Sequence, residues 1–255
     1  MPRPPQRPRS RPAPERDSET LYGLHTVRAA LANPRRRLLA LKATLNASGR
    51  LAPELAGAGV EAEIVLPQVL DRLTGPEAVH QGVVAEFAPL VQPRLDQIPR
   101  KGSVVLLDQV TDPHNIGAIL RSCAAFAATA LVMTARHSPE GSAVVAKAAS
   151  GALEHVPMVK VTNLARAMEE LKDYRFTVLG LDGAADTDIA EAGASSPTAL
   201  VLGAEGKGLR ELTRKTCDLL VRISLPGPIE SLNVSNAAAL ALYALSRKAT
   251  AVPNR

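Results

Sequence analysis

The sequence predicts an α/β protein built on a parallel sheet, with a second, smaller α/β unit ahead of it. Three observations carry that expectation. From Val104 onward, short runs rich in Val, Leu and Ala alternate with segments of helical periodicity. A Pro-rich stretch, Pro89 to Gly102 (PLVQPRLDQIPRKG), divides that region from what precedes it. The apolar content, 46%, supplies a core of ordinary size. Strand–helix alternation favours parallel pairing, because each helix carries the chain back across one face of the sheet. At 255 residues there is chain enough for two such units.

Taken in order, residues 1–18 (MPRPPQRPRSRPAPERDS) are too rich in Pro and Arg to bury a core, and predict a disordered basic arm. Residues 19–88 read as the small unit. Leu24, Val27 and Leu31 have helical spacing, and Asn33-Pro34 ends that helix. Leu38 to Leu45 reads as a strand, Leu51 to Ala56 as a short helix and Glu61 to Leu66 as a strand. Pro67 to Leu73 is a helix opened by proline, and Gly82 to Phe87 closes the unit as a strand. Residues 89–102 hold three prolines and no clear periodicity, so they read as a linker. The larger unit spans 103–250, with a tail at 251–255. Its strands are expected at 104–108, 130–133, 158–161, 176–181, 199–202 and 219–223. Its helices are expected at 116–127, 142–151, 164–171, 209–216 and 237–247.

Composition narrows the function. Aromatic residues make up 2% of the chain and Trp is absent, which argues against stacking platforms for bases. The net charge is +5, which suits a polyanionic partner. Of that charge, +3 lies in residues 1–18, so a basic patch on the folded part has to be local. Arg35, Arg36 and Arg37 are the candidate, with His25 as a further contact. Cys123 and Cys217 are far apart and in no metal-ligand spacing, which excludes a disulfide framework and a zinc site and fits a reducing cytoplasm. No apolar stretch reaches the roughly 18 residues that span a membrane.

In open parallel sheets, ligands bind beyond the carboxyl ends of the strands. That rule selects three loops. The first, after 104–108, reads DQVTDPHNIGAILRS; Asn115 is expected to cap the following helix, and Arg121, one turn past Gly117, to face the same crevice as Asn115. The second, after 199–202, reads GAEGKGLR. It fails the P-loop pattern, since Gly208 stands where Ser or Thr is needed, and fails the dinucleotide fingerprint in spacing and position. The third, Ser224 to Asn236 (SLPGPIESLNVSN), sets turn-forming Pro and Gly beside Ser and Asn between two apolar elements. Singly, each loop has a plain structural reading: a helix cap, a turn, a surface ion pair. Together, after strands of one sheet, they make a site.

These residues fall into three ordered motifs: Asn115-x-Gly117-x-x-x-Arg121, Leu202-Gly203-x-Glu205-x-x-Gly208, and Ser231-Leu232-Asn233-Val234-Ser235-x-Ala237. They resemble the motifs of the SpoU/TrmH RNA 2′-O-ribose methyltransferases, over about Ser103 to Lys248. Tyr22 to Val27 (YGLHTV) resembles the substrate-binding unit of members that act on ribosomal RNA, and Ala149 to Pro157 resembles the segment between the first two motifs. The resemblance implies a C-terminal trefoil knot and S-adenosyl-L-methionine as cofactor. It also implies a homodimer with each site completed near the subunit interface, and methylation of a guanosine ribose in large-subunit ribosomal RNA. It implies cofactor contacts at Leu202, Gly203, Gly208, Ile223, Leu225 and Leu232. Arg121 takes the catalytic role, with Asn115, Glu205, Ser231 and Asn233 orienting the reacting groups. Two alternatives stay open: tRNA as the substrate, and a non-catalytic RNA-binding protein that keeps the fold.

Overall fold

The computed structural model describes residues 18–75, 77–137, 142–192 and 197–251. Nearly all of the basic arm and of the tail therefore lies outside the described residues. The N-terminal unit runs β1 (Glu19–Tyr22), α1 (Leu24–Ala32), β2 (Leu38–Ala43), α2 (Leu45–Arg50), α3 (Ala52–Ala58), β3 (Glu63–Ile64), α4 (Pro67–Thr74) and β4 (Val83–Phe87). Its sheet has the order β1-β4-β2-β3, with β4 antiparallel to both neighbours and β2 parallel to β3. Two elements differ from the sequence expectation. The chain turns at Gly23, so Leu21 belongs to a strand and not to the helix that follows. Helix α2 forms without apolar periodicity, because the Thr44 hydroxyl caps it by accepting from the Ala47 N–H.

The C-terminal unit runs β5 (Ser103–Asp108), α5 (Pro113–Ala125), β6 (Ala130–Thr134), α6 (Ser142–Ala149), β7 (Met158–Val161), α7 (Leu164–Asp173) and β8 (Thr177–Leu181). It continues with β9 (Thr187–Asp188), β10 (Thr198–Gly203), α8 (Glu211–Thr216), β11 (Leu219–Arg222) and α9 (Val234–Ala251). The strands follow the order β7-β6-β5-β10-β8-β11-β9, every pair parallel. Among the described residues of this unit, short β9 is the one strand the sequence did not announce.

Period-two alternation explains why the strands read as continuous apolar runs. Val105, Leu107, Leu131, Met133, Leu200 and Leu202 point into one core with residues of α5, α6 and α9. Val104, Leu106, Ala130, Val132, Ala199 and Val201 point into the other, against α7. Burying each of the larger side chains contributes about 1.5–3 kcal/mol, so the central strands anchor everything at their ends. On the α5 side, Gly117 lets α6 approach closely: a Cβ there would stand 2.3 Å from Ala148 Cβ.

Residues 89–102 are packed and not a loose tether. Leu95 and Ile98 enter the second core, the Met158 N–H donates to Gln92 Oε1 (2.9 Å), and the Arg100 guanidinium lies 4.1 Å over the Tyr174 ring. Leu95 and Ile98 are three apart, a short amphipathic signal that the prolines obscure. The strand order reverses between β5 and β10. From β5 the chain moves outward through β6 and β7, then returns to the other side of β10 through β8. A crevice opens at the carboxyl ends of such a pair.

Candidate active site

The loops that leave β5 and β10 start side by side, since Gly203 is in register with Asp108. Asp108 is buried and holds the β10 loop in place. Its carboxylate accepts from the Arg210 backbone N–H (2.9 Å) and from Arg210 Nε (2.6 Å). The loop closes on itself where the Gly208 N–H donates to the Ala204 carbonyl (2.8 Å). That closure presents Glu205 toward α5 and α9.

Three of the expected residues meet there. Glu205 Oε1 accepts from Asn115 Nδ2 (3.1 Å), Asn233 Nδ2 (2.5 Å) and the Val234 N–H (3.3 Å). Asn233 Nδ2 also donates to Asn115 Oδ1 (3.0 Å). The Val234 N–H belongs to the first turn of α9 and has no partner within the helix, so that helix end favours the carboxylate both by hydrogen bonding and by its dipole. Asn233 is fixed in turn: its Oδ1 accepts from the Ser235 N–H (2.9 Å) and hydroxyl (2.5 Å). The cluster is thus a carboxylate clamped between two helix N-termini, on a residue that is itself exposed.

Asn115 does not cap α5. Asp112 does, accepting from the His114 N–H (3.0 Å), with Pro113 as the first helical residue. The Asp-Pro pair carries that signal in the sequence. Arg121 is exposed on α5 and makes no hydrogen bond to the cluster. Six residues at about 100° each place it roughly 120° around the helix from Asn115. It shares a stripe with His114, Ala118 and Ala125 instead. Among the described residues its guanidinium has no hydrogen-bond or carboxylate partner, so it does not serve as a surface ion pair. Ser231 is likewise exposed without a partner.

Around the third loop, Ile223, Leu225 and Leu232 are half-buried, and Pro226 to Ser231 are exposed. Among the described residues the backbone N–H groups of Leu225, Gly227 and Leu232 have no partner. Apolar side chains beside free backbone donors fit a nucleoside-bearing cofactor. Asp188 steadies the loop's start. Its carboxylate accepts from Ser224, which holds its pKa below the usual range, and the Ser224 N–H stands at 3.0 Å. Leu202 is 1% exposed with its side chain in the first core, so only its backbone can serve a ligand.

The arginine triplet splits, and Arg36 has to be withdrawn as an RNA contact. Its side chain is 2% exposed and bonded to Glu19 and Glu154. Arg35 spends one guanidinium N–H on the Glu154 carbonyl (2.9 Å), while Arg37 and His25 remain exposed. Burial pushes Cys123 up to about 12 and Cys217 up to about 11, which disfavours the thiolate at both. Asp108 and Arg210 are the supporting residues that sequence reasoning missed. Among the described residues no helix is long and apolar enough to cross a membrane.

Fold and site together define an α/β enzyme that works at the carboxyl edge of a parallel sheet, with a carboxylate–amide cluster at the switch point. The description "SpoU rRNA Methylase family" matches residues 102–243, and "RNA 2'-O ribose methyltransferase substrate binding" matches residues 20–93. The chain belongs to the SpoU rRNA methylase family. The 23S rRNA (guanosine-2'-O-)-methyltransferase RlmB of Yersinia pestis is 38% identical over 242 residues, 91% of this chain and 98% of its own. The protein of the same description from Vibrio vulnificus is 39% identical over 241 residues, 91% of this chain and 97% of its own. Among solved structures, the SpoU methyltransferase AviRb from Streptomyces viridochromogenes in complex with AdoMet is 27% identical. It has a TM-score of 0.78 and covers 92% of this chain and 91% of its own.

Proposed function

We propose that this protein transfers a methyl group from S-adenosyl-L-methionine to the ribose 2′-hydroxyl of a guanosine in 23S ribosomal RNA. The observation that carries this reading is the cluster of Asn115, Glu205 and Asn233 at the switch point of the sheet, beside a loop suited to a nucleoside. Membership of the family and curated relatives that match along nearly their whole length support the same conclusion. The bound cofactor supplies a methyl already activated on a sulfonium, so the chain's own work is alignment. Asn115, Glu205, Ser231 and Asn233 orient the acceptor ribose and the cofactor's polar end. Gly203, Gly208, Ile223, Leu225, Leu232 and the backbone of Leu202 surround its adenosine. Arg121 binds the neighbouring phosphate and stabilises the alkoxide that develops as the hydroxyl loses its proton. It is not the base, because a guanidinium does not give up its own proton.

The division of labour follows. Residues 19–88 bind RNA through His25, Arg37 and part of Arg35; 89–102 connect; 103–250 bind the cofactor and react, with the loops of 198–236 tied as a trefoil knot. The protein acts in the cytoplasm, away from membranes, as a homodimer. Support for the dimer comes from α5 and α9, where Leu240 (46% exposed) and Tyr243 (52%) stand in a helical stripe between Asn236 and Arg247. Exposed apolar stripes of this kind mark association surfaces. Arg121 is exposed on the neighbouring helix, and in the homodimer proposed here it completes the partner subunit's cluster. Light scattering on the purified protein is expected to give twice the chain mass; a single-chain mass at micromolar concentration removes the dimer.

The decisive experiment is labelled methyl incorporation into unmethylated 23S rRNA and into tRNA, at rising salt. Incorporation at one guanosine ribose of the rRNA is expected, with KM rising steeply with salt as phosphate contacts are screened. Incorporation into tRNA alone, or into neither, overturns the reading.

A further inference from the structure

A second buried charge cluster lies outside the crevice, where the N-terminal unit meets α6 and the turn that follows it. One apolar surface crosses this seam, from Leu21, Leu24 and Val27 to Val145, Ala146 and Ala149. Apolar packing of small side chains is non-directional and sets no unique angle between two units. The polar contacts do. Glu154, its side chain 3% exposed, accepts from Asn33 Nδ2 (2.6 Å) at Oε2 and from Arg36 Nε at both oxygens (3.1 Å each). Arg36 Nη2 lies 3.0 Å from Oε1, and Nη1 donates to Glu19 Oε2 (2.6 Å). Arg35 takes the Glu154 carbonyl. Burial alone would lower the Arg36 pKa; hydrogen bonds and charge from Glu154 and Glu19 outweigh it, and the net shift is upward.

We propose that Glu154 is a positioning residue for methyl transfer: it fixes the angle at which the N-terminal unit, and the RNA it holds, meets the helix that carries Asn115 and Arg121. A rotated arrangement would strip the buried Glu154 carboxylate of its charged partner and leave Arg36 with Glu19 alone, which is the condition under which a buried ion pair selects one geometry. The lever is short. Helix α6 carries the seam on one side, through Thr26 Oγ1 to the Ala146 carbonyl (3.4 Å) and Lys147 Nζ to Gln81 Oε1 (3.1 Å). On its other side Ala148 packs against Gly117 of α5. One helix, roughly 8–10 Å between axes, thus separates the N-terminal unit from the reacting helix. The 89–102 segment cannot set the angle, since Gln92, Leu95, Ile98 and Arg100 pin it to the C-terminal unit alone.

This inference rests on the RNA-methylating function proposed above, so its test has arms that do not. Glu154→Gln keeps the shape and removes the charge. For the full-length protein the KM for rRNA is expected to rise about tenfold or more, with kcat within about threefold and cofactor affinity within about twofold of wild type. Small-angle scattering is expected to show a broader, longer particle. Asn33→Ala, which strands no charge, is expected to move KM and scattering the same way by less, and carries the test if Glu154→Gln does not fold. Unchanged KM and unchanged scattering overturn the proposal. So does a joint fall of kcat and cofactor affinity, which marks a purely structural role. A wild-type protein inactive on rRNA sinks the functional reading alone, because scattering still reports on the seam.

Discussion

Arg121→Ala is expected to bind S-adenosyl-L-methionine with unchanged affinity and to lose methyl transfer by about 10²–10³-fold in kcat, the usual effect of removing one group that stabilises a developing oxyanion. The cofactor affinity is spared because Arg121 is assigned to the RNA phosphate and the reacting hydroxyl, not to the cofactor. Isothermal titration and a single-turnover assay check the two halves separately. Because the guanidinium stands on the exposed stripe of α5, away from its own chain's Asn115, the same variant also tests the composite site. Mixed with Glu205→Ala, which spoils the other half, Arg121→Ala is expected to recover roughly a quarter of wild-type activity. Random pairing makes half the dimers mixed, and each of those has one intact site of two. No recovery would mean that Arg121 serves its own chain.

That geometry was only half legible in the sequence. Residue types and loop placement singled out Asn115, Glu205 and Asn233, because ligands gather at strand ends whatever the fold's details, and these three do converge. The face of Arg121 was misjudged by counting from Gly117, when the relevant interval runs from Asn115. The central strands were legible because both cores draw on them in strict alternation. Strand β1 was not, because four residues ahead of a helix leave Leu21 readable as its first turn. The larger failures concern partners distant in the chain. Nothing local says that Asp108 will hold Arg210, or that the Arg36 of a basic triplet will be buried against Glu154, 118 residues on. A run of three arginines is usually a solvated surface. Here the fold consumes one, borrows another and leaves Arg37 free.

Gly203→Ala is expected to cost the protein most of its cofactor affinity. The added methyl carbon would lie 2.2 Å from the Gly208 carbonyl carbon, 2.4 Å from its oxygen and 2.5 Å from the Leu209 nitrogen. All three are backbone atoms, so no side chain can swing aside. The loop has to open, and opening breaks the Gly208 N–H to Ala204 carbonyl bond that presents Glu205. Overpacking of this kind costs about 1–3 kcal/mol. The cost falls on a loop at the edge of the sheet, so global unfolding should shift by only a few degrees. Cofactor affinity should fall by about two orders of magnitude, since the loop beside the adenosine and the carboxylate that Asn115 and Asn233 share move together. Hydrogen exchange should report the change in residues 204–210 while β5 and β10 stay protected. Wild-type cofactor affinity in this variant would show that the tight turn is a requirement of folding alone.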